Sequence, residues 1–329
     1  MDRDLALRAE RLPLRAPFRI SRGVKTHAEV VVVELRSDGA VGRGECVPYA
    51  RYGESTQTVT AELAALVKRF RAGEAALELV GGLPPGAARN ALDCAAWDLE
   101  ARLSGRSVAE RLGRQPPGRM ASAITISLDA PQAMAAAAAA VADAPLLKVK
   151  LDDEDPAARL AAVAAAAPGA RLILDPNESW TIATLQAMAP LVERLPVALV
   201  EQPLPAEEDA VLEGLAYPAP ICADESAHTA DDLAALAGRY QMANVKLDKA
   251  GGLSAALAMV ERARALGMGV MAGCMVASSL SIAPALHFAA LADTADLDGP
   301  WWLAEDRPGG CRFEDGMILP PQPGFWGGA

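Results

Sequence analysis

The sequence predicts an α/β protein in which a closed barrel of parallel strands follows a smaller N-terminal α+β domain. Three observations support this fold class. Polar residues that end successive apolar runs recur at a nearly constant interval, and the first third of the chain has a different pattern of strands and helices. In addition, a chain of 329 residues exceeds the usual size of a single hydrophobic core.

Residues 1–118 are predicted to form the N-terminal α+β domain. Residues 29–35 and 41–46 are strand-like, and the turn Ser37-Asp38-Gly39 between them predicts a β-hairpin. Apolar residues at helical spacing predict helices over 55–70 and 85–103. The linker Pro116-Pro117-Gly118 ends this domain, and residues 119–304 are assigned to the barrel.

Short apolar strands alternate with alanine-rich helices after the linker. Successive strand-end residues are separated by 25, 26, 23 and 22 positions, the length needed for one strand, one helix and two short loops. No glycine-rich dinucleotide fingerprint follows the first strand, which favours a closed barrel over an open sheet. Helices are predicted over 131–141 and 254–266. The predicted strands are 124–128, 146–151, 172–175, 198–201, 221–224, 244–247, 269–274 and 295–298.

The composition describes a folded, acidic chain. Hydrophobic residues make up 52% and charged residues 22%, and 31 Lys and Arg against 42 Asp and Glu give a net charge of −11. Because nucleic-acid affinity depends on positive charge, no nucleic-acid partner is expected. The uncharged segment 267–292 is long enough to cross a bilayer, but its glycines, serines, Pro284 and His287 indicate a buried strand, a loop and a buried helix. No membrane partner is expected either.

The cysteines and the N-terminus predict a cytoplasmic location. An odd number of cysteines in apolar contexts, without C-x-x-C spacing, is typical of buried free thiols in a reducing compartment. The first residues alternate charged and apolar side chains and lack the apolar core of a signal peptide. The sequence leaves homo-oligomerisation open. The cysteines are Cys46, Cys94, Cys222, Cys274 and Cys311.

Three acidic residues end consecutive predicted strands. Asp175, Glu201 and Asp224 each follow an apolar run, at the end of the barrel where active sites of this architecture lie. Neighbouring strands are about 5 Å apart, so three negative charges would converge and repel each other without a cation between them. Oxygen ligands of this kind select Mg²⁺ or Mn²⁺ over zinc. The alternative, in which each acid caps the following helix, accounts for one such residue better than for three.

Lysines flank this predicted metal site. Lys148 and Lys150 lie two residues apart on one strand and therefore point to the same face, into the barrel mouth. Their mutual repulsion is expected to bring Lys150 into use as a base near neutral pH. Lys246 ends a strand across the barrel from Lys150. The two lysines therefore predict that one removes a proton from the substrate and the other returns a proton to the opposite face. Mg²⁺ would stabilise the enediolate formed between these steps. The alternative is that these lysines are solvated charges.

These motifs resemble those of the enolase superfamily and, within it, the muconate-lactonising subgroup. The resemblance covers nearly the whole chain and implies a (β/α)7β TIM-like barrel with an N-terminal α+β capping domain, completed by the C-terminal segment at about 305–329. Strands six and seven do not end in an Asp-His dyad, so the mandelate-racemase pattern is not supported. The positions that match the acid/base and metal positions of the subgroup are Lys148-Val-Lys150, Asp175, Glu201, Asp224 and Lys246, followed by Ala250-Gly-Gly252.

A narrower resemblance is to dipeptide epimerases of the L-Ala-D/L-Glu type. Asp296-Leu-Asp298 ends the eighth predicted strand and matches the Asp-x-Asp motif that holds the free amino group of the dipeptide in that family. The alternative is an acidic exposed turn. The resemblance also implies that Arg22 pairs with a glutamate side chain, with Arg19, Lys25 and Arg51 as alternatives, and that Ser278, after strand seven, contacts the substrate.

The sequence thus predicts an Mg²⁺-dependent dipeptide epimerase that acts at the α-carbon of the C-terminal residue. Lys150 and Lys246 are the two predicted bases, and Mn²⁺ is the other candidate metal. Another enzyme of the subgroup stays open: o-succinylbenzoate synthase, an N-acylamino-acid racemase or a cycloisomerase. A non-catalytic dipeptide-binding protein is the third hypothesis. Asn177 and Gln202 are expected to order the metal ligands, and the resemblance alone implies a role in murein-peptide recycling.

Overall fold

The computed structural model describes residues 3–328, and its N-terminal region is an antiparallel sheet covered by helices. The strands are β1 (Asp4–Ile20), β2 (Gly23–Ser37) and β3 (Ala40–Cys46), and the helices are α1 (Thr56–Ala64), α2 (Val67–Arg71), α3 (Ala76–Gly81), α4 (Ala87–Ser104) and α5 (Val108–Arg111). The sheet has the order β1-β2-β3. Val31, Val33 and Leu35 of β2 pack in one buried cluster with Phe70 and Leu92 from the helices. We call this region the cap.

The cap differs from its prediction in two places. The predicted hairpin is β2 with β3, and β1, which was not predicted, pairs with the other edge of β2 to make a three-stranded sheet. The helix predicted over 55–70 is interrupted between α1 and α2 by Ala65 and Leu66, both of which keep α-helical φ and ψ. The helix predicted over 85–103 is α4, which ends at Gly105 in the left-handed conformation, as glycine commonly does after a helix.

β3 packs closely on α4 because two of its residues are glycines. A Cβ added at Gly44 would lie 2.1 Å from Ala91 O and 2.8 Å from Ala95 N, and neither backbone atom can move aside easily. We expect Gly44→Ala to lower the free energy of unfolding by about 2 kcal/mol or more, measured by urea denaturation. Gly81→Ala is the matched control, because a Cβ there meets no atom within 4 Å. Equal stability of the two variants would contradict this packing.

Parallel strands form the barrel in chain order. After β4 (Met120–Ala121) come β5 (Ile124–Ile126), β6 (Leu146–Lys150), β7 (Arg171–Asp175), β8 (Val197–Glu201), β9 (Ile221–Ala223), β10 (Met242–Val245), β11 (Gly269–Gly273) and β12 (Thr294–Asp296). β5 to β12 pair as one 8-stranded sheet in sequential order. Ala123 N donates to Ala295 O at 2.8 Å, which nearly closes the sheet between its first and last strands. The predicted strands all occur, with ends shifted by up to two residues.

Helices alternate with most of the barrel strands as predicted, but between β8 and β9 the structure has only a 3₁₀ turn, Asp209–Leu212. The helices are α6 (Pro131–Ala139), α7 (Pro156–Ala166), α8 (Ile182–Arg194), α9 (Leu233–Leu236), α10 (Leu247–Ala250), α11 (Leu253–Ala265) and α12 (Ser279–Ala289). Prolines occupy the first positions of α6 and α7, where a missing N–H leaves no hydrogen bond unmade. The uncharged segment 267–292 contains β11, a loop and α12. No helix within residues 3–328 is both long and apolar enough to span a bilayer.

The barrel interior has an apolar layer and a polar layer. A separate buried cluster, which we call the apolar plug, fills the ring below the strand ends. Charged and polar residues occupy the C-terminal ends of the same strands, including Lys150 on β6 and Asp175 on β7. The predicted catalytic and metal-binding side chains therefore lie on one side of the plug. The plug consists of Ala123, Leu146, Ile173, Leu199, Cys222, Met242 and Met271.

The C-terminal segment contacts both the barrel and the cap. β13 (Arg312–Glu314) and β14 (Met317–Leu319) form a small antiparallel sheet with β4. Further on, Trp326 Nε1 donates to Arg43 O at 2.9 Å, and Gly327 N donates to Asp98 Oδ1 at 2.8 Å. The division of the chain at residues 118 and 119 stays a prediction.

Candidate active site

The C-terminal ends of the barrel strands and the edge of the cap enclose a cavity of about 240 Å³. The cap contributes the tip of the β1–β2 hairpin and the loop that follows β3. Most of the predicted site residues lie on the wall of this cavity. The barrel residues on the wall are Thr125, Lys148, Lys150, Asn177, Asp224, Glu225, Lys246, Cys274, Met275, Val276, Asp296 and Asp298, and the cap residues include Phe18, Ile20, Arg22, Lys25, Tyr49 and Tyr52.

Lys150 and Lys246 lie on opposite sides of the cavity. They belong to β6 and to the residue after β10, and these strands are four apart in a ring of eight. Lys150 Nζ donates to Asp175 Oδ2 at 2.5 Å and to Asn177 Oδ1 at 3.1 Å, whereas Lys246 Nζ donates to Asp224 Oδ2 at 2.7 Å. Each side chain is 8% exposed, so both ammonium groups are held by the protein but open toward the cavity.

The position of Lys246 depends on the glycines that follow it. The chain turns through the short helix α10 into Gly251 and Gly252, which have φ of 95° and 106°. A Cβ on Gly252 would lie 2.5 Å from Asp93 Cβ of α4, so only glycine combines this conformation with contact to the cap. The Gly-Gly pair therefore brings the end of β10 against the cap.

Lys148 has different surroundings from those expected. Its Nζ lies 3.1 Å from Asp175 Oδ2, 2.7 Å from Glu201 Oε2 and 2.7 Å from Asp296 Oδ2. Burial disfavours the charge, but Asp296, Glu201 and Asp175 together raise the pKa of Lys148 well above its usual value. Lys148 is therefore not simply a positive neighbour of Lys150. It is the counter-ion of three carboxylates.

The three acidic residues expected to bind a metal differ in their electrostatics. Burial opposes ionisation of Asp175, but Lys150 and Lys148 lower its pKa to about 2. Burial also opposes ionisation of Asp224, yet contact with Lys246 and Lys249 holds the pKa of Asp224 well below its usual value. By contrast, burial and then the nearby charge of Asp175 raise the pKa of Glu201 to about 7.

The carboxylate oxygens of Asp175, Glu201 and Asp224 are the type of ligand that a divalent cation prefers. Glu201 Oε1 accepts from Asn244 Nδ2 at 2.8 Å, and Glu201 Oε2 lies 2.7 Å from Lys148 Nζ, its one ion-pair partner among the described residues. Buried carboxylate oxygens are suitable ligands for a hard cation. Within residues 3–328 no three acidic, histidine or cysteine side chains are placed to bind one metal ion together. The ammonium groups of Lys148 and Lys246 lie between the carboxylates.

Other polar residues fix the carboxylates in place. Lys249 Nζ donates to Asp224 Oδ1 and to Asp224 O, both at 2.6 Å, and its side chain is fully buried away from the cavity wall. Gln202 Oε1 accepts from Asp224 N at 2.9 Å, and Asn177 N donates to Asp175 Oδ1 at 3.0 Å. Lys246 faces the cavity and Lys249 supports Asp224 from behind, so the structure separates two lysines that are close in sequence.

Asp296 and Asp298 lie together at the wall near Lys148. Asp296 Oδ2 accepts from Lys148, whereas Asp296 Oδ1 is buried and has no hydrogen-bond partner. Asp298 follows β12 and accepts on Oδ2 from Thr125 N at 2.7 Å and Trp302 Nε1 at 3.1 Å. Burial and the charge of Asp296 raise the pKa of Asp298 to about 6. The pair forms a buried acidic wall with an unpartnered oxygen, not an exposed turn.

Arg22 lies at the tip of the β1–β2 hairpin, where the cap meets the barrel. Its guanidinium donates to Glu225 Oε1 at 2.6 Å, to Glu178 Oε2 at 2.9 Å and to Asn177 O at 2.8 Å. Arg51 also binds Glu178, at 3.0 Å. Arg22 therefore reaches the cavity wall already partnered by two carboxylates of the barrel.

Ser278 is not on the cavity wall, contrary to expectation. It is fully buried at the start of α12, where its N and Oγ donate to Glu45 of the cap at 2.8 and 2.5 Å. Three residues that precede it, Cys274 to Val276, do line the cavity. The sequence indicated the right segment, but contact with the cap turns the serine away from the cavity.

Phe18 and Glu225 line the cavity but were not predicted. Phe18 of β1 lies over the barrel mouth, with its ring centroid 5.9 Å from Lys150 Nζ. No local pattern marks Phe18, because its place depends on how the cap packs on the barrel. Tyr52 contacts His228 edge to face at 4.5 Å across the boundary between cap and barrel. Glu225 carries a usable signal, because it directly follows Asp224 at a strand end.

Comparison with protein families matches almost the whole chain. Residues 2–113 match the mandelate racemase / muconate lactonizing enzyme N-terminal domain, and residues 132–325 match the enolase C-terminal domain-like family. An L-Ala-D/L-Glu epimerase from Escherichia coli K12 is 48% identical over 311 residues, 94% of this chain and 97% of that protein. An N-acetyl-D-glutamate racemase from a Pseudoalteromonas species is 46% identical, over 91% of this chain and 96% of that protein.

Solved structures agree with the fold. An enolase family member from Agrobacterium tumefaciens with homology to dipeptide epimerases, with bound sodium and L-Ala-L-Glu, has a TM-score of 0.96 and 48% identity, over 99% of this chain and 100% of that one. A dipeptide epimerase from Enterococcus faecalis V583, complexed with Mg and L-Leu-L-Tyr, has a TM-score of 0.90 and 27% identity, over 98% of both chains. Both similarities extend over the cap and the barrel.

Proposed function

The chain belongs to the mandelate racemase / muconate lactonizing enzyme family of the enolase superfamily, and we propose that it is an Mg²⁺-dependent epimerase of dipeptides such as L-Ala-D/L-Glu. The relatives are isomerases of amino acid derivatives, in agreement with this class of reaction. The observation that carries the proposal is the placement of Lys150 and Lys246 on opposite sides of one small cavity.

Two lysines on opposite sides suit inversion at a carbon. When a dipeptide α-carbon lies between the two lysines, its hydrogen points to one lysine in one diastereomer and to the opposite lysine in the other. One neutral lysine takes the α-proton, and the opposite lysine, as an ammonium, returns a proton to the other face. Asp175 and Asn177 orient Lys150 and Asp224 orients Lys246, so each base has a fixed partner.

Asp175, Glu201 and Asp224 are the residues that would hold the metal. When bound, a divalent cation supplies positive charge to the substrate carboxylate next to the reacting carbon. The three buried carboxylates on consecutive strands support this assignment, as does the Mg-bound dipeptide epimerase among the structural relatives. Lys148 contributes further positive charge at the same end of the cavity, where negative charge develops during proton loss.

Asp296 and Asp298 are proposed to bind the free amino group of the dipeptide. A cationic amine in a closed site needs a carboxylate partner, and Asp296 Oδ1 is buried without a donor. Arg22, at the rim, is proposed to bind an acidic side chain on the second residue by exchanging one of its present carboxylate partners. A preference for glutamate in that position therefore belongs to the proposal.

The direct test is proton NMR of L-Ala-L-Glu in D₂O with the enzyme and Mg²⁺. We expect the glutamate α-proton signal to disappear while the L-Ala-D-Glu signals grow, and EDTA to stop both. Exchange without the second diastereomer would contradict the two-base arrangement. Absence of any change with acidic or apolar dipeptides would contradict dipeptide epimerisation as a whole.

N-acyl-glutamate racemisation is a second candidate, favoured by the racemase that is 46% identical. An N-acetylated substrate has no ammonium group, so it does not need the carboxylates of Asp296 and Asp298. We expect Asp296→Asn to lower kcat/KM for L-Ala-L-Glu by about 100-fold, because it removes a charge-assisted contact in a buried site. Steady-state kinetics with N-acetyl-glutamate as the paired substrate checks this. An equal loss for both substrates would contradict ammonium recognition by Asp296.

We also propose a cytoplasmic location and a role in recycling murein peptides. All five cysteines are free thiols in the structure, and four are buried, which supports a reducing compartment. The recycling role extends from the proposed substrate, because dipeptides that contain alanine and glutamate arise when cell-wall peptides are cleaved. Growth of a deletion strain on L-Ala-D-Glu as the nitrogen source tests the role.

A further inference from the structure

Glu45 is a buried carboxylate where the cap, the barrel and the C-terminal segment meet. It lies at the end of β3 with its side chain 0% exposed. Glu45 Oε1 accepts from Ser278 N at 2.8 Å, and Oε2 accepts from Ser278 Oγ at 2.5 Å. Arg307 donates to Glu45 Oε2 through Nη2 at 2.6 Å and Nε at 3.1 Å. Arg307 also binds Glu10 of β1 at 2.8 Å.

The chain directly before Ser278 forms part of the cavity wall. We call residues 274–277, between β11 and α12, the 274–277 loop. Cys274, Met275 and Val276 of this loop line the cavity. On the barrel side, the backbone of the loop lies close to Gly299, where an added Cβ would be 2.7 Å from Met275 O. At the other end of the loop, Glu45 binds both the N and the Oγ of Ser278, and Arg307 Nε also donates to Ser278 Oγ at 2.6 Å.

We propose that Glu45 is a positioning residue, which holds the 274–277 loop against the cavity and thereby sets the second residues that the enzyme accepts. Glu45 itself is absent from the cavity wall, so it acts through the loop. The same contact keeps the Ser278 side chain buried away from the cavity. The claim about specificity rests on the proposed function, whereas the claim about loop position does not.

The size of the effect follows from the chemistry of the contact. Hydrogen bonds to a buried charged group are stronger than neutral ones, and an unpaired buried partner is costly. Removing the Ser278 hydroxyl or the Glu45 charge is therefore expected to increase the population of displaced loop by about tenfold or more. Arg307 retains Glu10 as a partner in either variant, so the rest of the junction keeps an ion pair.

Cys274 reports the position of the loop without any catalytic reaction. It is the partly exposed cysteine of the chain, and the other four are buried. Burial also raises the pKa of its thiol, which slows its reaction while the loop is in place. We expect Glu45→Gln and Ser278→Ala to increase the rate of Cys274 alkylation by iodoacetamide about tenfold, followed by peptide mass spectrometry.

Ser279→Ala is the matched control. Ser279 lies one residue further along, is equally buried, and donates from N and Oγ to Asp306, which lies outside the cap. Its loss has a similar chemical cost but leaves the Glu45 contact intact. We expect Ser279→Ala to keep the wild-type alkylation rate at Cys274. Equal rates in all three variants and the wild type would overturn the positioning role of Glu45.

Kinetics with a panel of dipeptides tests the second half of the proposal. For Glu45→Gln and Ser278→Ala we expect the ratio of kcat/KM for L-Ala-L-Glu over L-Ala-L-Leu to change at least fivefold, mainly through KM. Ser279→Ala should keep the wild-type ratio. A uniform loss of kcat that follows the fall in Tm would reduce Glu45 to a stabilising residue. If the wild type epimerises no dipeptide, the proposed function fails, while the alkylation result still decides the position of the loop.

Discussion

Lys246→Ala is expected to abolish epimerisation while retaining exchange of the α-proton in one diastereomer. Lys150 remains in place with Asp175 and Asn177, so one face of the substrate keeps its base. Loss of a positioned base costs about 10² to 10⁴ in rate, and we expect a fall of at least about 10³-fold in the formation of the second diastereomer. The measurement is NMR in D₂O, started separately from L-Ala-L-Glu and L-Ala-D-Glu.

Lys150→Ala provides the complementary experiment. It should retain exchange in the opposite diastereomer, because Lys246 and its partner Asp224 are untouched. Lys249 still binds Asp224 in the Lys246→Ala variant, so a collapse of the site does not explain its loss of activity. Exchange of the same diastereomer in both variants, or epimerisation by either variant, would disprove the two-base assignment.

Glu201→Gln and Asp224→Asn are expected to separate activity from stability. Both remove a proposed metal ligand and should lower kcat/KM by at least about 10³-fold. Burial and the charge of Asp175 raise the pKa of Glu201 to about 7, and Lys148 keeps Asp175 and Asp296 as partners, so the metal-free fold gains little from the charge of Glu201. Asp224 is the counter-ion of Lys246 and Lys249, and removing one partner of a buried ion pair costs about 3–5 kcal/mol.

Thermal unfolding in EDTA distinguishes the two variants. We expect the Tm of Glu201→Gln to equal or exceed that of the wild type, and the Tm of Asp224→Asn to fall by several degrees. Added Mg²⁺ should raise the wild-type Tm and leave the Glu201→Gln Tm unchanged, because binding to the native state stabilises it. An Asp224→Asn variant as stable as Glu201→Gln would contradict the ion-pair network.

The barrel was predictable because its signals are local and repeated. Each barrel strand is a short apolar run whose distance to the next is set by the length of a βα unit. β1 was not predicted, although its first residues alternate charged and apolar side chains, because Pro13 and Pro17 interrupt the run and only Leu5 along its length is buried.

The same distinction applies to the candidate site. The structure brings the strand-end residues Lys150, Asp175 and Asp224 together because the ends of parallel strands meet at one side of a barrel. The repulsion argument for Lys148 considered only Lys150, whereas three carboxylates surround the Lys148 ammonium group; its effect on Lys150 stays a prediction. Ser278 was misplaced because its partner, Glu45, is 233 residues away in sequence.

The apolar plug below the strand ends has a consequence for how such an enzyme changes over time. Residues such as Ile173 and Met271 stabilise the ring from inside without touching the cavity wall. The groups proposed to select the substrate lie above the plug, on the hairpin tip with Arg22 and on the 274–277 loop. Mutations that alter substrate preference therefore leave the plug intact. Substitutions around the cavity opening can change the accepted substrate with little loss of folding stability.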